Sequence, residues 1–242
     1  MLSSPPRLIL ALDASSSRCS VVLGSEAAPG QASAGRVLAS LENEGQTGDA
    51  ARLPGMVAEL LRAQALSARD ITMVAVSVGP GSFTGLRASL AFAQGLAGGT
   101  GIPVIGVTVA EALALASRAE AGERPLWCAL DARQGRIFLH RGGAPEAWEV
   151  ASLSQPPLPP TAVALAGDAA ELLGAALREH GVTAVVTGAR ASHAREVAMA
   201  ALLRAQGQRP PLAAVPLYID PPRALPPKGG LRPPPREAAQ AS

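Results

Sequence analysis

Aromatic residues and lysine are nearly missing from this 242-residue chain. Its six aromatics, Phe83, Phe92, Trp127, Phe138, Trp148 and Tyr218, are spread too thinly to build the stacking platform of a single-stranded nucleic-acid binder. Lys228 is the only lysine among 21 basic residues, and it lies far from the glycine-rich turn at 79–85, which excludes a Walker phosphate loop there. Two cysteines, Cys19 and Cys128, are too few for a secreted disulfide framework and lack zinc or redox spacing. Both sit in apolar, strand-like runs and read as reduced core thiols of a cytoplasmic protein. The net charge is only +2, with no basic run, so charge does not call for a nucleic-acid partner. Residues 8–12 form only a short apolar run ending at Asp13, not a secretory signal. Charge is also absent between Arg87 and Glu111, but Gly95, Gly98, Gly99, Gly101 and Pro103 break that stretch into helix, turn and strand. No membrane span is expected.

What is abundant is alanine, with 50 residues, in a chain that is 48% hydrophobic and 17% charged. Such a core closes through small and aliphatic side chains and favours close approach of helices to each other and to sheets. Residues 7–13 and 19–24 read as strands joined by a Ser-rich turn, and 36–41 as a third strand. From Asp49, a reasonable cap, Leu53, Val57, Leu60 and Leu61 fall at helical spacing, with Pro54 near the first turn. Then come a buried strand at 71–78, a helix at 82–97, a strand at 104–107 and a helix at 111–121. A hairpin, 126–130 and 136–140, opens a second part. A Pro-rich connection at 152–160, a helix at 168–180, a strand at 184–187 and a helix at 192–206 follow. Ten of the 22 prolines lie after Gln208, and residues 220–242 read as an extended Pro-rich tail.

Three antiparallel-type strands followed by alternating helices and strands open a ribonuclease-H-like lobe. The hairpin after the first strand argues against a Rossmann fold, which would place a helix there. The expected architecture is α/β: an actin/Hsp70-like (ribonuclease-H-like) two-lobed fold with a reduced second lobe. Its lobes would be residues 1–123 and 124–219.

The sharpest local feature is Gly79-Pro80-Gly81-Ser82-Phe83-Thr84-Gly85-Leu86-Arg87, between a strand and a helix. Its tight turn can aim N–H groups at an anion, and Ser82 or Thr84 can cap the helix. The dinucleotide pattern fails because Thr84 stands where its third glycine belongs. Along the helix, Gly85, Ser89, Ala93 and Ala97 form a strip of small residues beside Leu86, Leu90 and Leu96. That strip suits either packing within the chain or a seam with a partner. Asp13 stands where actin-like ATPases hold a carboxylate near nucleotide and metal, with Ser15 and Ser16 offering hydroxyls to a phosphate. Equally, all three can simply cap the hairpin. Asp131 ends a later strand in the same way, with Arg133 and Arg136 expected to pair with it.

No catalytic set can be assembled. His140, His180 and His193 lack metal-ligand spacing and read as surface or helix-end residues, and no Gly-x-Ser-x-Gly elbow supports a serine nucleophile. No catalytic residue and no metal site are expected, and a peptidase has no nucleophile and base to work with.

The loop GPGSFTGLR with its strand VAVSVGP, the opening LALDASSSRCSVVL, the turn DARQGRIF and the ending PLYIDPPRALPP together resemble the TsaB (YeaZ) family, over most of residues 7–228. The resemblance implies a role in adding threonylcarbamoyl to adenosine beside the tRNA anticodon. In that family the catalytic subunit is TsaD, which carries a metal-binding histidine pair, and TsaE is an ATPase. TsaB members lack the pair and act as the dimerisation partner, so ATP and metal are expected on partner subunits and tRNA is met through the complex. The missing histidine constellation fits TsaB. Carried onto this chain, the partner seam uses Gly85, Leu86, Ser89, Leu90, Ala93 and Leu96, with Arg52, Leu53, Met56 and Leu60 on the neighbouring helix; a homodimer through the same surface is conceivable. Many relatives have a histidine before that helix, where this chain has Asp49. The alternative to the subunit reading is an actin-like enzyme that binds and hydrolyses ATP through Asp13.

Overall fold

The computed structural model describes residues 7–26, 35–44 and 49–220. The Pro-rich tail beyond residue 220 lies outside the described residues. Three strands come first: β1 (Leu8–Asp13), β2 (Arg18–Glu26) and β3 (Gly35–Glu44). They pair antiparallel in series, and β4 (Met73–Gly79) and β5 (Val104–Thr108) extend the sheet in parallel from β1, in the order β3-β2-β1-β4-β5. The hairpin and the parallel additions agree with the ribonuclease-H-like expectation.

Alternation along each strand splits the core in two, because successive side chains point to opposite faces. Leu10, Leu12, Val21, Leu23, Val74 and Val76 face α1 (Leu53–Ala63) and α2 (Phe83–Thr100). Ile9, Ala11, Val22, Met73 and Ala75 face the other side. The helices meet the sheet largely through alanine and leucine, as the composition requires. Asp49 opens a 3-10 turn, Asp49–Arg52, and the α-helix proper starts at Leu53 with Arg52 at its N-cap position. Proline in the first helical turn explains the late start: its missing N–H costs nothing there.

α3 (Val109–Ala121) leads out of this sheet, its start fixed by a reciprocal Thr108–Glu111 capping box. The second sheet contains β6 (Leu126–Asp131), β7 (Arg136–His140), β8 (Trp148–Ser152), β9 (Ala164–Ala166) and β10 (Val185–Val186), ordered β10-β9-β6-β7-β8. α4 (Ala170–Glu179) covers it. This lobe is the smaller one, with short strands and one helix of its own.

The continuous lobe boundary at 124–219 is corrected at its far end. α5 (Ala194–Ala205) returns to the first sheet, where Ala194, Val197, Ala198, Ala201 and Leu202 pack on Ile9, Ala11 and Met73. The following segment straps the same lobe. Gly106 donates its N–H to Leu212 O at 3.2 Å, and Leu217 donates to Val78 O at 2.8 Å. Gly106 is required there: a Cβ would stand 2.4 Å from Ala213 O. No helix among the described residues is long and apolar enough to cross a membrane.

Candidate functional site

β1 ends at Asp13, directly before residues 14–19, which line a cleft of about 880 Å3 between the lobes. Asp13 is buried, and both carboxylate oxygens are engaged within the chain. Oδ1 accepts the Ser15 N–H at 2.8 Å, and Oδ2 accepts the Ser192 hydroxyl from the loop before α5. Ser15 Oγ lies 3.0 Å from Ser192 Oγ, while Ser16 Oγ accepts the Arg18 N–H at 3.1 Å. Desolvation pushes the Asp13 carboxyl above the usual carboxylate range, against the opposing hydrogen bonds from Ser192 and Ser15.

The glycine loop serves this corner by letting backbones touch. A Cβ on Gly81 would lie 2.1 Å from Ser15 O, and one on Gly85 would lie 2.0 Å from Ala14 O. Ser82 donates its N–H to Ser15 O at 2.7 Å, and its hydroxyl caps α2 by accepting from Gly85 N at 3.2 Å. The start of α2 is thus docked on the β1–β2 turn, and the N–H groups of Ser82 and Gly85 have protein acceptors.

An actin/Hsp70-like fold implies a metal-bound nucleotide in this cleft. Asp13 does not fit that group: its carboxyl is buried, biased toward the neutral form and filled by Ser15 and Ser192. Among the described residues no group of three or more His, Cys, Asp or Glu could hold a metal.

The expected pairing of Asp131 with Arg133 and Arg136 is corrected. Asp131 Oδ1 accepts the backbone N–H of Arg133 at 2.7 Å, and Arg136 pairs instead with Asp220 at 3.0 Å. Asp168 accepts the Asp131 N–H at 2.8 Å; desolvation first, and then the charge of Asp131, raises its carboxyl pKa. His140 is buried rather than superficial, with Nε2 3.0 Å from Ala144 O. Cys19 and Cys128 are both buried, and burial pushes the Cys128 thiol up to about 12.

Of the residues carried over for the partner seam, Arg52 is exposed and the others turn inward. Gly85, Leu86, Ser89, Leu90, Ala93, Leu53, Met56 and Leu60 are buried within the chain's own core, and Leu96 packs against it half-buried. The strip of small residues therefore packs α2 within its own lobe. The seam assignment fails for these side chains because a helix has one stripe per face, and this stripe faces the core. The opposite stripe is exposed: Arg87, Ala91, Gln94, Gly95 and Gly98 on α2, with Gly55, Ala58 and Glu59 on α1. A Cβ on Gly55, Gly95 or Gly98 would meet nothing within 4 Å. The signal was present in the sequence as Ala91, Gly95 and Gly98 at i, i+4 and i+7. At the head of α2, Phe83 and Tyr218 are half-exposed around Arg87, whose guanidinium lies 3.7 Å from the Phe83 ring centre and donates to Tyr218 Oη at 2.8 Å.

Two mixed sheets, a cleft between them and a helix crossing from one to the other define an actin/Hsp70-like protein with a reduced second lobe. Residues 47–149 match the family described as "TsaD: tRNA N6-adenosine threonylcarbamoyltransferase". The resemblance to TsaB (YeaZ) proteins holds in sequence and in structure. The chain is 35% identical to "tRNA threonylcarbamoyladenosine biosynthesis protein TsaB" of Escherichia coli (strain K12) over 130 residues, 54% of this chain and 52% of that protein. With the TsaB of Haemophilus influenzae (strain ATCC 51907 / DSM 11121 / KW20 / Rd) it shares 33% identity over 134 residues, 54% of this chain and 52% of that one. The chain spans about half the length of the curated relatives it matches. The solved structure "YeaZ from Pseudomonas aeruginosa" superposes with a TM-score of 0.65 at 25% identity, covering 88% of this chain and 100% of that chain.

Proposed function

We propose that the chain is a non-catalytic dimerisation subunit of the complex that adds threonylcarbamoyl to the adenosine beside the tRNA anticodon, acting in the cytoplasm. In this reading it binds a TsaD-like catalytic subunit, with a TsaE-like ATPase as third component. The partners carry ATP and metal, and tRNA is met through the complex. Alone, the chain would pair with a second copy through the same helix surface. The observation that carries the proposal is likeness to TsaB in a chain whose β1 carboxylate, Asp13, is committed to its own Ser15 and Ser192. The exposed small-residue stripe of α1 and α2 is the surface assigned to the partner, since a helix can approach closely where side chains are missing.

Neighbouring positions on opposite faces of α2 give the test. Ala91→Arg stays folded, within about 0.5 kcal/mol of the parent as expected for an exposed site, and loses co-elution with a TsaD-like partner on size exclusion. Leu90→Arg buries an unpaired charge, costs about 3–5 kcal/mol and fails to fold. Unchanged co-elution of Ala91→Arg moves the seam elsewhere. Threonylcarbamoyl transfer by the lone chain, or tight magnesium–ATP binding lost in Asp13→Ala, overturns the subunit reading.

A further inference from the structure

A second cavity, of about 650 Å3, lies between the lobes and shares no lining residue with the Asp13 cleft. Its size falls in the range of small-molecule sites, roughly 300–1,000 Å3. α3, β6, the turn after β7, the end of α5 and the strap at 209–212 each contribute to it. The wall is mostly apolar, with Ala110, Leu126, Cys128, Pro210, Pro211 and Leu212.

One side is charged, and its charges do not cancel. Glu111 Oε1 accepts from both Arg204 and Arg209 at 2.8 Å, and Oε2 accepts the Thr108 N–H at 3.0 Å. Burial pushes the Glu111 carboxyl up, but these hydrogen bonds and the two guanidiniums bring it below its ordinary value, so it is ionised. One carboxylate therefore faces two guanidiniums. Arg204 is almost fully buried and spends its donors on Pro210 O, Gly106 O and Glu111. Arg209 is a quarter exposed, and among the described residues Glu111 is its one hydrogen-bonding partner, leaving further N–H donors. The remaining charged lining residue, Glu146, is exposed at the rim.

We propose that this cavity binds a small molecule with an apolar body and a single carboxylate, the carboxylate paired with Arg209. A flat guanidinium fork matches a carboxylate in two places. The one guanidinium in surplus on this side neutralises a monoanion, while a phosphate dianion would stay half unpaired. Because the walls come from both lobes and the strap, the bound molecule ties them together and stabilises the chain against heat.

Calorimetry of the full chain with octanoate, octanol and octyl phosphate tests this. Octanoate binds one per chain, with octanol about tenfold weaker for loss of one charge-assisted contact and octyl phosphate no tighter than octanoate. Arg209→Gln, checked for folding by circular dichroism, levels octanoate and octanol. Ala114→Phe, on the exposed part of α3 that lines the cavity, fills the cavity and displaces octanoate. Equal affinities for octanoate and octanol in the parent, tighter octyl phosphate, or octanoate binding indifferent to Ala114→Phe overturns the proposal.

Discussion

The two sheets are built to one plan. Read from the antiparallel edge, β3-β2-β1-β4-β5 and β8-β7-β6-β9-β10 have the same order and the same directions. Each central strand ends in Ala-Leu-Asp, at Asp13 and at Asp131, and each aspartate accepts the N–H two residues on, from Ser15 at 2.8 Å and from Arg133 at 2.7 Å. Each corner is also approached by a glycine too close for a Cβ, Gly81 against Ser15 O and Gly167 against Ala129 O. They differ in what covers them. Ser192 closes over Asp13 and buries it, whereas Asp131 stays exposed to the cleft with Asp168 beside it. The same turn chemistry thus yields a sealed carboxyl in one lobe and an open one in the other, and the covering segment decides which.

The largest expected effects come from breaking the shared element. Gly81→Ala and Gly167→Ala each force a Cβ within 2.1 Å of a carbonyl oxygen and should cost about 3 kcal/mol or more by overpacking of backbone against backbone. Gly167 adds the strain of a φ of +103°. Urea unfolding of both variants checks this; a mild Gly81→Ala would mean that the first corner is less rigid than the second.

A middle-sized effect separates the corners by pH. The folded pKa of Asp13 lies above its ordinary 3.8, so its bound proton stabilises the fold below that value. The contribution is lost as pH rises through the folded pKa. Asp13→Asn keeps an acceptor for Ser15 and can donate to Ser192. It should melt like the parent at acid pH and higher than the parent above neutrality. Parallel melting curves for the two across that range would show that Asp13 is not held as buried as the geometry has it.

The smallest effect tests whether the lobes lean on each other through side chains. Arg136 and Asp220 are about a quarter exposed, and their pair joins the second lobe to the end of the strap. Arg136→Ala should shift stability by no more than about 1 kcal/mol, as for other partly solvated pairs. A loss several times larger would make that contact a brace.

Much of the first lobe was legible because its strands are continuous apolar runs bounded by turn residues and its helices switch to a 3.6 period. β9 was not: three residues between Pro-rich loop and helix are too few to show a period. Nor was the destination of α5, since its alanines show which face is buried but not in which lobe. At the site, Asp13 and the glycine loop stood out, yet Ser192, 179 residues away from Asp13, carries no local signal. The small-residue stripe on α2 suits packing within the chain or a seam with a partner equally, and no local spacing names the core that buries it.

The return of α5 to the first sheet has a consequence for synthesis. Ile9, Ala11, Met73 and Ala75 present an apolar face that α3 covers only in part until residues 194–205 have left the ribosome. The first lobe therefore cannot mature ahead of the second during translation, as an ordinary N-terminal domain would. The last helix among the described residues completes the core that β1 begins.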